Sequence, residues 1–143
     1  MRILILTILS LWGVTTSQAR EPEWWQFLGP HGTNRTGSDN LPLKWTDTEG
    51  ISWKTAIHGR GWSSPVIDGN RIWMTTSTPD GSQLFAVCVN KVTGKIIHDQ
   101  KVFDVSKPQK ISTANTYATP TPVVKDGCVF IHFGTYGTSC LDS

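Results

Sequence analysis

The chain has 143 residues, 13 of them Lys or Arg and 11 Asp or Glu, giving a formal net charge of +2 with the charges scattered rather than in runs. That balance offers no electrostatic handle for nucleic acid or anionic lipid, so neither is an expected partner. Three cysteines are an odd number, so at least one stays outside any disulfide.

The chain opens with Met1-Arg2, continues through an apolar run from Ile3 to Val14, and reaches small residues at Ser17 and Ala19. A positive start, a short apolar core and a small-residue site are the pattern of a secretory signal peptide, here residues 1–19. The apolar run falls short of the roughly 20 residues that a membrane-spanning helix needs, and no later segment is a transmembrane candidate. No cysteine follows Ala19 to carry a lipid anchor. The expectation is an exported, soluble protein of the periplasm, the cell surface or the medium.

Residues 20–50 begin with aromatics (Trp24, Trp25, Phe27) and continue with the turn formers Gly29, Pro30, Gly32 and Gly37. Neither a helical nor a strand period survives those glycines and prolines. The segment reads as an irregular N-terminal arm that buries its three aromatics against a larger body. Large apolar side chains contribute roughly 1.5–3 kcal/mol each when buried, enough to hold such a segment. Asn34-Arg35-Thr36 fits a glycosylation sequon and reads more simply as a turn.

From Ile51 the pattern changes to short β-rich runs. Ile51 to Ile57 alternates apolar and polar residues, as a half-buried strand does. Pro65-Val66-Ile67 is a short strand, Asp68-Gly69-Asn70 a turn, and Arg71 to Thr76 the returning strand. Thr78-Pro79-Asp80-Gly81-Ser82 turns next, because Pro presets φ and Gly accepts a positive one. Gln83 to Asn90 and Lys95 to Val102 follow as strands around Lys91-Val92-Thr93-Gly94. Four strands and three turns make an antiparallel meander.

The pattern then repeats. Ser64-Pro65-Val66-Ile67-Asp68-Gly69-Asn70 and Arg71-Ile72-Trp73 recur 57 residues on as Thr121-Pro122-Val123-Val124-Lys125-Asp126-Gly127 and Cys128-Val129-Phe130. Strands are expected up to Val124, from Cys128 to Phe133, and from Thr138 to Asp142 after the turn Gly134-Thr135-Tyr136-Gly137. The apolar run Val129-Phe130-Ile131-His132-Phe133 suggests a strand covered on both faces. Cys88 and Cys140 take matching places in the two repeats. Stacked sheets stand about 10 Å apart, beyond the roughly 7 Å limit for Cα atoms in a disulfide, so free buried thiols are expected.

Four-stranded antiparallel units at a period of about 40 to 60 residues point to an all-β fold, a β-propeller whose blades pack face to face. About one and a half blades are present: a first blade over about 62–103 and an incomplete second over about 117–143, within a propeller segment of 51–143. The residues Trp24-Trp25-Gln26-Phe27-Leu28-Gly29-Pro30, Trp62-Ser63-Ser64-Pro65 through Trp73, and Tyr117-Ala118-Thr119-Pro120 through Gly137 resemble the pyrroloquinoline-quinone-like (PQQ-like) β-propeller repeat family of exported bacterial proteins. The resemblance implies an amino-terminal fragment of a ring, with Ile51 to Ile57 as the strand that closes the last blade. It also implies a docking pattern whose slots here are Cys88, Asn90, Thr93-Gly94 and His98. Only the Thr-Gly turn is kept, and His98 stands in the slot of the docking tryptophan.

His31, His58, His98 and His132 stand too far apart in sequence for a metal-ligand spacing of two to five residues. Gly59-Arg60-Gly61-Trp62-Ser63-Ser64 lacks the Gly-x-Ser-x-Gly elbow of a hydrolase, and Ser63 and Ser64 read as hydroxyls that satisfy backbone groups. The glycines from Gly29 to Gly37 lack the Gly-Lys-Ser/Thr ending of a phosphate loop. Catalytic, cofactor-binding and metal residues are therefore none by this reading. Arg60, Trp62 and Tyr117 are the candidate rim-binding residues, for a protein or small-molecule ligand.

The expected function is a non-catalytic exported scaffold or binding propeller. Under the family resemblance, an alternative is a quinoprotein dehydrogenase using PQQ and calcium at the ring axis, and another is an outer-membrane protein assembly factor. No cofactor is evident from the residues alone.

Overall fold

The computed structural model describes residues 23–37 and 41–143; the signal-peptide assignment at 1–19 lies outside them. The chain is all-β. Among the described residues the strands are β1 (Val66–Asp68), β2 (Arg71–Ser77), β3 (Gln83–Asn90), β4 (Ile96–Asp104), β5 (Val123–Lys125), β6 (Cys128–His132) and β7 (Thr138–Asp142). They form one four-stranded antiparallel sheet in the order β1-β2-β3-β4 and one three-stranded sheet in the order β5-β6-β7. Apart from Ile51 to Ile57, the expected strands and turns recur within a few residues. The β5–β6 hairpin shows why: Asp126 and Gly127 both take positive φ, 52° and 77°, as a tight two-residue hairpin turn demands.

The two sheets pack face to face. Val66, Trp73, Leu84, Ala86 and Cys88 of the first sheet form one buried cluster with Val124, Val129 and Ile131 of the second. Strand alternation makes this possible, since every second side chain of a strand shares a face. Each fully buried Val or Ile contributes roughly 1.5–3 kcal/mol to the contact. The seam is also tied by hydrogen bonds. The Trp62 and Ser63 N–H groups donate to the Ala118 carbonyl at 3.0 and 3.2 Å, and the Ser64 N–H donates to the Thr121 hydroxyl at 3.0 Å.

One row of the first sheet explains a residue choice. Val66, Trp73, Cys88 and His98 stand opposite one another across four strands. The Trp73 and His98 rings stack with an interplanar angle of 7° and centroids 5.6 Å apart. Strands two apart are separated by about 9.5 Å, so the indole must lean across Cys88 to reach the imidazole. A small residue at Cys88 is what the crossing requires. His98, in the slot the resemblance gives to a docking tryptophan, thus stacks within its own sheet. The Trp73 indole N–H is buried without a hydrogen-bond partner among the described residues.

The opposite face of the first sheet is covered by residues 51–59, which form no strand, so the strand expected over Ile51 to Ile57 is irregular chain. Their alternation survives as burial: Trp53, Thr55 and Ile57 are half-buried while Lys54 and Ala56 are exposed. Side chains anchor the segment in place of a ladder. The Trp53 indole donates to the Lys91 carbonyl at 2.9 Å and the Thr55 hydroxyl to the Gly94 carbonyl. The Thr76 hydroxyl donates to the His58 carbonyl at 2.6 Å. Gly94 is needed beneath this segment, because a Cβ there would lie 2.6 Å from the Trp53 ring.

Three further expectations change. Val129 to Phe133 is not covered on both faces: Val129, Ile131 and Phe133 are buried, whereas Phe130 is 43 % exposed and Val123 beside it 38 %. The strand is apolar throughout, yet only one of its faces meets the first sheet. In the arm, Trp24 is half-buried and its ring lies against Gly29, but Trp25 and Phe27 are 37 % and 58 % exposed. The arm is held instead by backbone: the Trp24 carbonyl accepts from Ile67 N–H at 2.7 Å, and the Trp25 carbonyl from Val124 N–H at 2.9 Å.

The third change concerns the thiols. Cys128 and Cys140 form a disulfide with Cα atoms 5.7 Å apart, and Cys88 alone is free and buried. The expectation of free thiols weighed a bridge between sheets, whereas this bridge lies within one. Cys140 stands opposite Phe130, two residues along β6 from Cys128, so the two are diagonal neighbours on one face. Burial pushes the Cys88 thiol up to about 11, which keeps it protonated and unreactive. With the aromatic disulfide reagent DTNB at pH 8, the native protein should release no thiol signal, the denatured protein one equivalent, and the denatured and reduced protein three.

Candidate functional site

The structure places Arg60, Trp62 and Tyr117 at one end of the sheet pair, where the segments leading into β1 and β5 run side by side. Arg60 and Trp62 line one cleft of about 320 Å³ with His58, Ser63 and Thr75. Arg60 and Tyr117 share a much smaller cleft with Thr78 and Ile111. The three sequence-derived rim residues are therefore brought together, though in different settings.

Arg60 and Trp62 are presented by a rigid ledge. Arg60 forms an antiparallel bridge with Ser77: its N–H donates to the Ser77 carbonyl at 2.9 Å and its carbonyl accepts from Ser77 N–H at 3.0 Å. The Ser77 hydroxyl adds a bond to the same carbonyl at 3.1 Å. The flanking glycines are dictated by contact. A Cβ on Gly59 would stand 2.3 Å from the Ser77 carbonyl oxygen, and one on Gly61 would stand 2.3 Å from that of Thr75. With residues 59 and 61 facing β2, alternation turns Arg60 and Trp62 outward. Trp62 is 56 % exposed. Ser63 plays the structural part expected of it, accepting from Thr75 N–H at 2.9 Å through its hydroxyl.

Tyr117 is half-buried and belongs to a clasp. Its hydroxyl donates to the Gln109 carbonyl at 2.8 Å, and the Tyr136 hydroxyl accepts from Gln109 N–H at 2.7 Å. The two rings lie 6.5 Å apart. Together they strap the β4–β5 connection over the seam, and a cleft of about 360 Å³ opens beside them, lined by Asn115, Thr119 and Phe133. Sequence reading missed Tyr136 and Gln109. Their signal was available only as a tyrosine in a glycine-bounded turn, with nothing to say what its hydroxyl would meet.

The Tyr117 ring also rests on Gly81, where a Cβ would intrude to 2.5 Å, so the β2–β3 turn supports the clasp. Hydrogen bonds from the Thr78 side chain and from Ser82 hold the exposed Asp80 carboxyl of that turn down to about 2, below its usual 3.8. A depressed carboxylate supports the folded turn above the ordinary value and loses that support as pH falls.

The histidines occupy separate places. His31 is exposed in the arm. His58 Nε2 meets Asp99 Oδ1 at 2.9 Å and packs edge-on against Phe85, and His132 Nδ1 meets the Thr138 hydroxyl at 2.9 Å. Among the described residues no group of three or more His, Cys, Asp or Glu side chains is placed to hold a metal ion. Nor is any helix among them long and apolar enough to cross a membrane. No protein-family model matches the chain, and neither a curated protein nor a solved structure matches it.

Two measurements check the clasp and its support. Tyr136→Phe should remove the acceptor for Gln109 N–H, costing about 1 kcal/mol and speeding amide exchange across residues 105–116 while leaving β2 and β3 protected. Stability should decline as pH falls from 3.8 towards about 2, and Asp80→Asn should flatten that part of the melting-temperature profile.

Proposed function

We propose that this chain contributes blades to an exported PQQ-like β-propeller that binds through its rim and performs no chemistry of its own. The observation that carries the reading is the sense in which the two repeats stack. Val66 and Trp73, which face the second sheet, correspond in the repeat to Val123 and Phe130, which face away from the first. The contact is head to tail: one face of the first repeat meets the opposite face of the second. Such a heterologous contact leaves the same face open on the last member, ready for another, and closes only as a ring or continues as a filament. Propeller blades close as a ring.

The binding reading is supported by what stands at the rim and by what occupies the inner edge. Under the quinoprotein alternative the cofactor and calcium lie at the ring axis, beside the innermost strands. Here the edges of β1 and β5 are already bonded to the Trp24 and Trp25 carbonyls. The nearest arm carboxylate, Glu23, accepts the Gly69 N–H at 2.9 Å. These residues do not fit a quinone and calcium site, and no catalytic step is derived through one. At the rim, by contrast, Arg60 and Trp62 are exposed on a fixed backbone, the arrangement expected of recognition from a rigid scaffold.

Incubated with PQQ and calcium, the full chain should show no saturable cofactor absorbance and no alcohol- or sugar-dependent dye reduction. A saturable absorbance with substrate-dependent reduction would establish the dehydrogenase instead.

A further inference from the structure

We propose that the Arg60–Trp62 ledge binds a uronate, the carboxylate-bearing ring of an acidic saccharide. The inference rests on the binding-scaffold reading and supplies its ligand class.

Four features of the ledge lead there. First, the Arg60 guanidinium is paired with no carboxylate among the described residues, as is also true of Arg71 and several lysines. A guanidinium offers a planar fork that takes a carboxylate through two parallel hydrogen bonds. Second, Trp62 lines the same cleft with its indole largely exposed. A rigid indole beside water is a platform for the flat, weakly polar C–H face of a pyranose, burying area at little entropic cost.

Third, the spacing matches. Arg60 and Trp62 are two residues apart on backbone that is bridged to Ser77 and bonded to Ala118, so their Cα atoms stand about 6.6 Å apart along an extended chain. That is the span of one sugar ring with its carboxylate at the end, the ring over the indole and the acid at the guanidinium. The cleft of about 320 Å³ is within the range for small-ligand sites.

Fourth, the backbone argues against a peptide. Strand addition uses free N–H and C=O groups, and here both of Arg60's are taken by Ser77 while Trp62 N–H is taken by Ala118. Side chains alone are on offer. A ligand that brings its own carboxylate and ring face suits them better than one that needs a main-chain ladder.

The test is a calorimetric titration of the full chain with tetragalacturonate, a neutral galactose tetrasaccharide of the same linkage, and an acidic tetra-aspartate peptide. The uronate should bind saturably and lose affinity as salt is raised, and the other two should bind at least about tenfold more weakly. Arg60→Gln and Trp62→Ala should each weaken uronate binding about tenfold or more, with Arg60→Lys between wild type and Arg60→Gln. Arg60 is exposed and its side chain takes part in no ion pair among the described residues, so Arg60→Gln should melt as wild type does and remains informative if Trp62→Ala misfolds. Absence of saturable uronate binding, equal binding of the neutral sugar, preference for the peptide, or an unchanged affinity in Arg60→Gln would each overturn the proposal. Quinone-dependent dye reduction in the same preparation would overturn the non-catalytic reading separately, whatever the titration gives.

Discussion

The structure depends on one contact, the packing of Val124, Val129 and Ile131 of the second sheet into the face that carries Val66, Trp73 and Cys88 of the first. The second sheet buries one side of its pleat in this contact and leaves the other exposed. The seam hydrogen bonds, the Tyr117–Tyr136 strap and the arm all act at its borders. None would have anything to hold without the apolar contact between them.

That contact also sets the exposed features. Because it joins unlike faces, the side of the second sheet that bears Val123, Phe130 and the Cys128–Cys140 bridge points outward. Because the first sheet uses one face for the second sheet, its other face is left for residues 51–60, whose side chains bond to turn carbonyls at Lys91 and Gly94. The same segment then rises into the Gly59-Arg60-Gly61-Trp62 ledge. The position of the rim residues is a downstream effect of which face of the first sheet was already occupied.

The parts legible in the sequence are those governed by local chemistry. Asp126-Gly127 could be read as a tight turn because few other pairs accept two positive φ values, and the echo of Ser64 to Trp73 in Thr121 to Phe130 marked a repeated hairpin. Arg60, Trp62 and Tyr117 could be placed near one another because they precede equivalent strands. The parts that were not legible depend on register and on irregular chain. Whether Cys128 meets Cys140 depends on how β6 and β7 slide past each other, which the Gly134–Gly137 turn decides by its detailed path. The role of Tyr117 depends on Gln109, a residue in a connection without period or motif. The alternation of residues 51–57 truthfully reported one buried side. It could not report that the burial is against a sheet face.

The arm's two carbonyls carry a consequence for how the sheets are spaced. Consecutive carbonyls on extended chain point to opposite sides, so Trp24 and Trp25 together act as a gauge block between β1 and β5, one strand on each flank. The bond from Val124 to Trp25 joins residues about two thirds of the sequence apart, and a contact of such long range must close a large loop. The spacing of β1 and β5 is thus fixed by a segment that lies far from both in sequence and next to both in space.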